Sequence, residues 1–376
     1  MKNIDILHIY AGTSGSAGLY MNEIYSVLSD NFRQELIVNS YYPFQKGKKI
    51  FYRYSELSAP YKIKRRAIRL AIRFVELCYA LLFSLFYVLR NNPKILNYSL
   101  TSDVIVEYYF LCIIKIFTKT KLLITCHDTL PLNISNEKIL QKKIKRKKRF
   151  FKLADTLIIH NQNSREELEK YYGITANIVE HPFPVMDLTL LYGLPEVQRH
   201  EKFKVSMLGN FRKEKGVDIL VDAWSRLDND AHNIELLIAG YFPDRKDIPA
   251  NLRPSVHIKP HFIDDHTYWK LIGESDVVVL PYKRGTNSGI PSSIISLNTL
   301  LIASDISMFD NNTLIDKFFL FKMGDAVDLS KKIYDIYQMS QATKNEYRKK
   351  NKILFNQYRQ EFKSIINEVY LSILEK

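Results

Sequence analysis

Short runs rich in isoleucine, leucine and valine recur along the chain, separated by longer segments with helical periodicity. This alternation is typical of a parallel β-sheet with helices on both faces, because strands buried on two sides have continuous apolar runs. The sequence therefore predicts the α/β class. Strands are predicted at residues 4–9, 35–39, 94–97, 122–126, 156–160, 204–208, 235–239, 276–280 and 301–304.

The alternation is interrupted once, over residues 185–202, which lack clear periodicity and contain Gly193 and Pro195. At roughly 150 residues per domain, a chain of 376 residues accommodates two domains. We therefore predict two Rossmann-like, doubly wound domains, at residues 1–190 and 200–350, and a closing C-terminal helix at residues 351–376. The composition, with 46% hydrophobic and 25% charged residues, excludes a disordered or collagen-like chain.

The net charge of +14 comes from 54 Lys and Arg against 40 Asp and Glu, and it is concentrated in two segments. Six basic residues lie within residues 62–73 and eight within residues 142–152, with no acidic residue in either segment. Together they account for the whole net charge. Such local basicity indicates an anionic partner, either a membrane surface or a nucleic acid.

Five of the basic residues recur at spacings of one to four residues and lie largely on one face of a predicted helix, next to apolar positions. They are Lys62, Arg65, Arg66, Arg69 and Arg73. This arrangement is typical of a helix lying in a membrane interface, and a core helix with a solvated basic face is the alternative. The second segment is also explained by a solvated helix whose Ile144 and Phe151 pack inward. We expect no nucleic-acid binding, because no zinc-ligand spacing or RNA-recognition motif is present.

Two further features bear on localisation. The apolar run at residues 74–89 has 16 residues including Glu76, fewer than the roughly 20 of a spanning helix, and is predicted not to span a membrane. Cys78, Cys112 and Cys126 lie in apolar stretches without metal or redox spacing, which predicts small buried side chains in a reducing compartment. The first residues run into a glycine turn without a cleavage site, so a cytoplasmic protein is expected.

In open α/β sheets, ligands bind beyond the carboxyl ends of the strands. Two such positions in the first half carry candidate residues. A loop with Gly12, Gly15 and Gly18 follows the first strand, which suits an approaching anion but is also common for steric reasons alone. His127 follows the fourth predicted strand and is either a sugar-contacting or a structural histidine; His160 and His181 are similar locally.

Two positions in the second half are more specific. In SMLGNFRKEKGVDILVDAW, a strand ends before the turn glycine Gly209, and Arg212 and Lys215 precede a helix opened by Gly216. Two cations at a helix start suit a diphosphate, and a solvated charged turn is the alternative. In the segment at residues 276–305, a strand is followed by Asn-Ser-Gly-Ile-Pro at a predicted helix start, which exposes backbone N–H groups or simply begins a helix.

These motifs together resemble the two-Rossmann-domain (GT-B) glycosyltransferases, in particular glycosyltransferase family four. The resemblance extends over nearly the whole chain and is best in GNFRKEKGVDIL, IELLIAG and SDVVVLPYKRGTNSGIPSSIIS. It implies two domains facing across a cleft that holds a nucleotide-sugar donor, and retaining sugar transfer with no metal or other cofactor. The expected acceptor is a lipid-linked oligosaccharide, as in O-antigen or capsule assembly, at the cytoplasmic face of an anionic membrane.

The resemblance also assigns site residues. Arg212 and Lys215 would hold the diphosphate and stabilise the leaving group, and His127 would contact the sugar. The remaining donor-binding positions are Gly15 and Ser16 in a closing loop, Gly209 and Asn210 in the turn, Phe262 near the base, and Asn287, Ser288, Gly289, Ile290 and Ser293 at the helix start.

One departure from the family pattern concerns two glutamates that many members carry eight residues apart. Gly285 and Ser293 stand at those positions, so both carboxylates are missing. The Asn-Ser-Gly form is similar to that of a recognisable subset of the family, which implies a different recognition of the donor sugar. The alternative is a non-catalytic copy of the fold that acts as partner of another transferase.

Overall fold

The chain divides into two compact units, Met1–Pro184 with Phe362–Lys376, and Val185–Glu361. They are seen in a computed structural model that describes residues 4–10, 16–38, 50–52, 65–99, 105–127, 129–130, 136–194, 202–227, 233–250, 252–285 and 288–375. The second unit begins at Val185, where the alternation of apolar runs and helical segments is interrupted. The predicted boundary was a few residues later, between residues 190 and 200.

The first unit is built on a seven-stranded sheet of order β3-β2-β1-β4-β5-β6-β7 in which every neighbouring pair is parallel. Its strands are β1 (Ile6–Tyr10), β2 (Gln34–Val38), β3 (Ile50–Tyr52), β4 (Ile95–Tyr98), β5 (Lys121–Thr125), β6 (Thr156–Ile159) and β7 (Ile178–Glu180). Its helices are α1 (Ser16–Leu28), α2 (Arg66–Asn91), α3 (Ile105–Phe117), α4 (Glu137–Phe151) and α5 (Gln162–Glu167). Helix α5 continues as a short π-helix at Leu168–Tyr172.

Alternate residues of each strand pack on opposite faces of this sheet. In β5, Leu122 and Ile124 pack in a core that includes residues of α2, α3 and α4. Leu123 belongs to a second core, formed with α1 and with Phe362 near the C-terminus. The apolar runs that made the strands recognisable are therefore buried on both sides, as predicted.

The second unit has a six-stranded sheet of order β10-β9-β8-β11-β12-β13, again parallel throughout. Its strands are β8 (Phe203–Asn210), β9 (Ile234–Tyr241), β10 (Val256–Lys259), β11 (Val277–Leu280), β12 (Leu300–Ser304) and β13 (Leu320–Phe321). Its helices are α6 (Leu188–Tyr192), α7 (Val217–Ser225), α8 (Asp265–Gly273), α9 (Ile290–Ser296), α10 (Ser307–Asp310), α11 (Ala326–Gln338) and α12 (Gln341–Glu375). Both sheets have the strand order of doubly wound folds, which confirms the predicted fold class.

Helix α12 is a single 35-residue helix rather than a closing element limited to residues 351–376. Its first part, up to Glu361, belongs to the second unit, and Phe362–Lys376 belongs to the first. In the first unit its Tyr370 hydroxyl accepts a hydrogen bond of 2.8 Å from Asn97 on β4, and Asn97 also contacts the buried His8 on β1 at 3.0 Å. The end of the chain is therefore hydrogen-bonded to the centre of the first sheet.

The apolar run at residues 74–89 lies within the 26-residue helix α2. By length and composition alone, its segment Ala67–Asn91 could cross a membrane. Within the most apolar 18 residues of this segment, 22% are buried. The helix is longer than the uninterrupted apolar run, so its length alone permits a span, and the expectation that it does not span a membrane stays a prediction. Leu81 and Val88 pack on the sheet, as in a core helix.

All three cysteines were predicted to be buried, but only Cys126 is. Cys78 on α2 and Cys112 on α3 are half-buried.

Candidate active site

The loops that follow β8 and β11 meet at the carboxyl edge of the second sheet, because these two strands are neighbours. Gly216, at the start of α7, has a left-handed φ of +73°. A Cβ atom at this position would lie 1.9 Å from the carbonyl oxygen of Pro281, directly after β11. Only glycine fits both the conformation and the close approach, which explains how the two loops come into contact.

A second pair of glycines brings the ends of β8 and β9 together. Gly209 and Gly240 are register partners, and both have positive φ angles, of 138° and 148°. A Cβ atom at Gly240 would lie 1.8 Å from the Gly209 carbonyl oxygen. The strands therefore remain paired up to Asn210, and the turn that carries the cations begins directly after it.

Arg212 and Lys215 lie in the turn between β8 and α7, whose residues Lys213–Lys215 form one 3₁₀ turn. The Lys215 backbone N–H donates to the Arg212 carbonyl oxygen at 2.8 Å. The Arg212 guanidinium is half exposed and lies 4.0 Å from the Glu214 carboxylate. The Lys215 ammonium lies over the Tyr282 ring, 3.6 Å from its centre.

The loop after β11 adds a third cation, which the sequence analysis did not identify. The Lys283 backbone N–H donates to the Glu214 carbonyl oxygen at 2.8 Å, and its ammonium pairs with Asp218 of α7 at 2.6 Å. Arg212, Lys215 and Lys283 are therefore attached to two loops in direct contact. Tyr282 and Lys283 closely follow the apolar run of a predicted strand, and this position in the sequence could have identified them as site residues.

A groove of about 720 Å³ lies beside this turn in the second unit. Its lining includes Phe211 and Phe242, whose rings pack together in a tilted arrangement at a centroid distance of 4.5 Å. Arg212 and Lys283 also line it, so the cationic turn faces open space.

The predicted helix start after β11 is α9, which begins at Ile290 with Pro291 in its first turn. The Ser292 and Ser293 hydroxyls donate back to the Gly289 carbonyl oxygen at 2.9 and 3.0 Å, and the Ser288 hydroxyl accepts from the Ile290 N–H at 3.4 Å. Ser293, at one of the two positions where the resemblance led us to expect a glutamate, is buried and is bonded within the helix. Asn287 lies outside the described residues.

Two further positions concern the donor. A Cβ atom at Gly285, the other position where a glutamate was expected, would lie 2.9 Å from the flexible end of Met308, which would have to move to admit a side chain. Phe262, in the loop between β10 and α8, is 71% exposed at the same edge of the sheet. Its ring is therefore accessible to a planar ligand.

In the first unit, the predicted histidine belongs to a cluster of three. His127, His160 and His181 follow β5, β6 and β7, which are neighbouring strands, so all three lie at one carboxyl edge. The rings of His127 and His160 are 5.4 Å apart and those of His160 and His181 are 5.0 Å apart. Tyr20 of α1 lies within the cluster, 4.7 Å from the His127 ring, and its hydroxyl is 3.1 Å from His181 Nε2.

Burial controls the charge of this cluster. It lowers the pKa of His127 and of His181 to about 4, with the neighbouring His181 adding to the effect on His127. Burial also lowers the pKa of His160 well below its ordinary value. The histidines are therefore neutral near pH 7.

The predicted site residues are thus divided between the two units. Gly209 and Asn210, which were predicted in the turn, are instead the last residues of β8. Arg212 and Lys215 lie in the turn that follows, next to the loop that leads to Ser288, Gly289 and Ile290. In the first unit Ser16 begins α1, and the histidine cluster packs on that helix; Gly15 is outside the described residues. Within the part of the chain that the structure describes, no group of three or more His, Cys, Asp or Glu is arranged to hold a metal ion.

Comparison with known proteins gives a family match for part of the chain and several solved structures with a similar fold. Residues 195–353 match the family model of glycosyl transferases group 1. A glycosyltransferase from Rickettsia africae has a similar structure, with a TM-score of 0.69 at 15% identity over 100% of both chains. HepE from Anabaena in complex with UDP-glucose gives 0.69 at 13% identity over 98% of this chain and 100% of that one. Sucrose-phosphate synthase from Thermosynechococcus elongatus gives 0.67 at 16% identity over 98% and 99%.

Two parallel, doubly wound units define the GT-B fold of glycosyltransferases, which these solved structures share. The group 1 domain lies in the second unit. No curated protein matches the sequence.

Proposed function

We infer that the protein transfers a sugar from a nucleotide-sugar donor and that the turn with Arg212 and Lys215 binds the diphosphate of the donor. The observation that carries this proposal is the contact between this cationic turn and the loop after β11, inside the group 1 domain. Cations fixed by backbone contacts stabilise the charge that develops on a departing diphosphate. The UDP-glucose bound in the HepE structure supports a donor of this chemical class.

In the proposed reaction, which we assign to the retaining type, the bond between the sugar C1 and the diphosphate oxygen breaks. A bond forms on the same face between C1 and an acceptor hydroxyl oxygen, and the hydroxyl proton passes to the leaving phosphate. Arg212 and Lys215 hold the phosphate oxygens, and backbone groups at Ser288, Gly289 and Ile290 contact phosphate or sugar. Phe262 lies against the base, and neutral His127 contacts a sugar hydroxyl. No step requires a bound metal ion.

The chain represents the subset of family four without the paired glutamates. The buried Ser293 hydroxyl, bonded to the Gly289 carbonyl oxygen, supports this assignment because a short neutral group occupies one of the two glutamate positions. Recognition of the donor sugar and ribose then depends on backbone groups and hydroxyls. The same observation favours the second candidate, a non-catalytic partner of another transferase.

The proposed acceptor is a lipid-linked oligosaccharide at the cytoplasmic face of the cell membrane, as in O-antigen or capsule assembly. Arg65 and Arg73 are exposed at the beginning of α2 and Arg69 is half-buried, which supports a contact with anionic lipid. Lys62 and the Arg66 side chain are outside the described residues. No nucleic acid takes part.

A melting experiment tests the donor assignment. The purified protein is heated with a panel of nucleoside diphosphates and their sugars, because a ligand bound only by the native state raises the melting temperature. One nucleotide series should raise it in the native protein and much less in Arg212→Ala. No rise with any nucleotide would contradict the proposal. A rise without release of the diphosphate in the presence of membrane extract would favour the non-catalytic alternative.

A further inference from the structure

The outward faces of α2 and α3 carry most of the exposed apolar side chains of the described chain. Among the described residues, 21 large hydrophobic side chains are exposed, and 12 of them lie on these two helices. They are Ile68, Leu70, Phe74, Val75, Tyr79, Leu82, Phe86 and Leu89 on α2, and Ile105, Tyr109, Ile116 and Phe117 on α3. Scattered exposed hydrophobics are ordinary, whereas such a concentration marks an interaction surface.

The apolar residues of α2 form a continuous stripe. Ile68, Ile72, Val75, Tyr79, Leu82, Phe86 and Leu89 follow one another at alternating spacings of four and three residues. This spacing keeps them on one side of a helix, over about 32 Å at 1.5 Å per residue. The opposite side of the same helix packs on the sheet through Leu81 and Val88. The stripe is therefore a second apolar face, pointing away from the core.

Helix α3 widens this surface. Ile105, Tyr109, Cys112 and Ile116 have the same spacing of four, three and four residues, and α3 packs beside α2. A partner helix requires a single narrow seam, whereas here two adjacent helices present apolar stripes. The surface thus matches a broad apolar partner better than one helix.

A strongly basic helix lies next to these stripes. In α4, eight residues are basic and Glu137 is the only acidic one. Phe150 of α4 packs against Tyr108 of α3 at a ring distance of 5.8 Å, which places the two helices side by side. Lys142, Lys143 and Lys145 are exposed. The apolar surface is therefore bordered by cations along one side and has Arg65 and Arg73 at the beginning of α2.

We propose that the outward face of α2 and α3 inserts into the interface of an anionic lipid bilayer while the α4 cations contact its phosphate headgroups. Apolar side chains beside a basic face are the combination that holds a helix in this interface. A second copy of the chain is a poorer occupant, because it would bring two sets of the same cations to one interface. The inference rests on the proposed membrane-bound acceptor only for its biological setting.

Co-sedimentation with vesicles tests the proposal, using phosphatidylglycerol mixed with phosphatidylcholine and phosphatidylcholine alone. The native protein should bind the anionic vesicles, and added salt should weaken this binding without abolishing it. The triple variant Leu82→Gln, Phe86→Gln, Ile116→Gln should bind the anionic vesicles about tenfold or more weakly than the native protein. This loss should be the same with and without added salt, because three apolar side chains no longer enter the bilayer. Lys142→Gln, Lys143→Gln, Lys145→Gln should lose affinity mainly at low salt.

Matched controls separate this effect from general changes in surface. Val327, Ile353 and Leu371 are comparably exposed on other helices, and their triple substitution by Gln should leave vesicle binding unchanged. Lys331, Lys349 and Lys363 provide the corresponding control for the cations. Absence of binding to anionic vesicles, or equal losses in test and control variants, would overturn the proposal. So would a native dimer in solution that the apolar triple variant converts to monomer while vesicle binding is unaffected.

The vesicle and melting experiments distinguish a wrong membrane-surface proposal from a wrong donor-site proposal. The apolar triple variant should retain the nucleotide-induced rise in melting temperature, because its substitutions lie in the first unit. Arg212→Ala should lose that rise and retain vesicle binding. A protein that responds to nucleotides but never binds vesicles would refute the membrane surface alone.

Discussion

The ammonium group of Lys215 lies directly over the ring of Tyr282, 3.6 Å from its centre. The ring comes from the loop after β11, is buried, and packs in turn on Phe309 at a ring distance of 5.3 Å. An aromatic face attracts a cation without neutralising it, whereas a carboxylate partner cancels its charge. Lys215 is thus positioned by a neutral group, which suits its proposed contact with a phosphate.

Two substitutions at Tyr282 test whether its aromatic ring, rather than its hydroxyl, positions Lys215. Tyr282→Leu removes the ring and should raise the KM for the donor severalfold, for a cation–π contribution of about 1 kcal/mol. Tyr282→Phe keeps the aromatic face and should remain near the native value. Steady-state kinetics with varied donor measures both. If Phe and Leu were equally impaired, the hydroxyl and not the ring would be the important group.

Loss of either proposed diphosphate-binding cation should affect the reaction more than the fold. Arg212→Ala and Lys215→Ala should each reduce kcat/KM by about a hundredfold or more, the usual effect of removing a group that stabilises developing negative charge. Their melting temperatures should stay close to native. Lys331→Ala, an exposed cation of α11, serves as the control. Near-normal turnover in both variants would refute the donor-site assignment.

The close approach of the two loops depends on Gly216. Gly216→Ala should destabilise the protein by roughly 3 kcal/mol, because the strained φ is combined with a clash against the Pro281 carbonyl oxygen. Gly324 also has a positive φ, of +82°, but nothing lies within 4 Å of an added Cβ atom. Gly324→Ala should therefore cost only about 1 kcal/mol of strain. Urea denaturation compares the two, and equal costs would show that the loop approach is not tightly constrained.

The buried histidines should make the first unit sensitive to acid. A histidine in the unfolded chain takes up a proton near pH 6.5, whereas the pKa of His127 and of His181 is lowered to about 4 by burial. The unfolded state therefore binds more protons in this window, so stability is complete above pH 6.5 and falls as the pH decreases towards 4. Each buried histidine adds up to about 1.4 kcal/mol per pH unit to this slope.

The cluster can be tested by denaturation at about pH 7 and about pH 5 in parallel. His160→Phe removes one titrating ring among Tyr20, His181 and Phe183, and it should reduce the difference between the two pH values by roughly a third. His266→Asn, at an exposed position, should leave the difference unchanged. A pH-independent stability in the native protein would contradict the proposed neutral state of the cluster.

Most of the fold could be predicted because its strands are buried on both faces. All nine predicted strands are present within a few residues of their predicted ends, whereas β3, β7, β10 and β13 were missed. These four have two to four residues each. The burial of β10 alternates between half-buried and exposed, so Val256–Lys259 has no continuous apolar run. Short edge strands are specified by their neighbours more than by their own residues.

The candidate site was predicted where its residues are consecutive in sequence and missed where they come together through folding. Arg212 and Lys215 share one turn with Gly216, so their spacing is visible in the sequence. Tyr282 and Lys283 join that turn only because β8 and β11 are neighbours. His160 and His181 join His127 through the order of three strands, for which sequence spacing gives no indication.

The long C-terminal helix has a consequence for the order of events during synthesis. Phe362, Ile366, Tyr370 and Ile373 pack in one core with residues such as Ile6 and Tyr20, which are translated long before them. The first unit therefore cannot complete its hydrophobic core when residue 184 has emerged. Its apolar face remains uncovered until the second unit has been translated, so a stop codon before residue 362 leaves this core without the four side chains of α12.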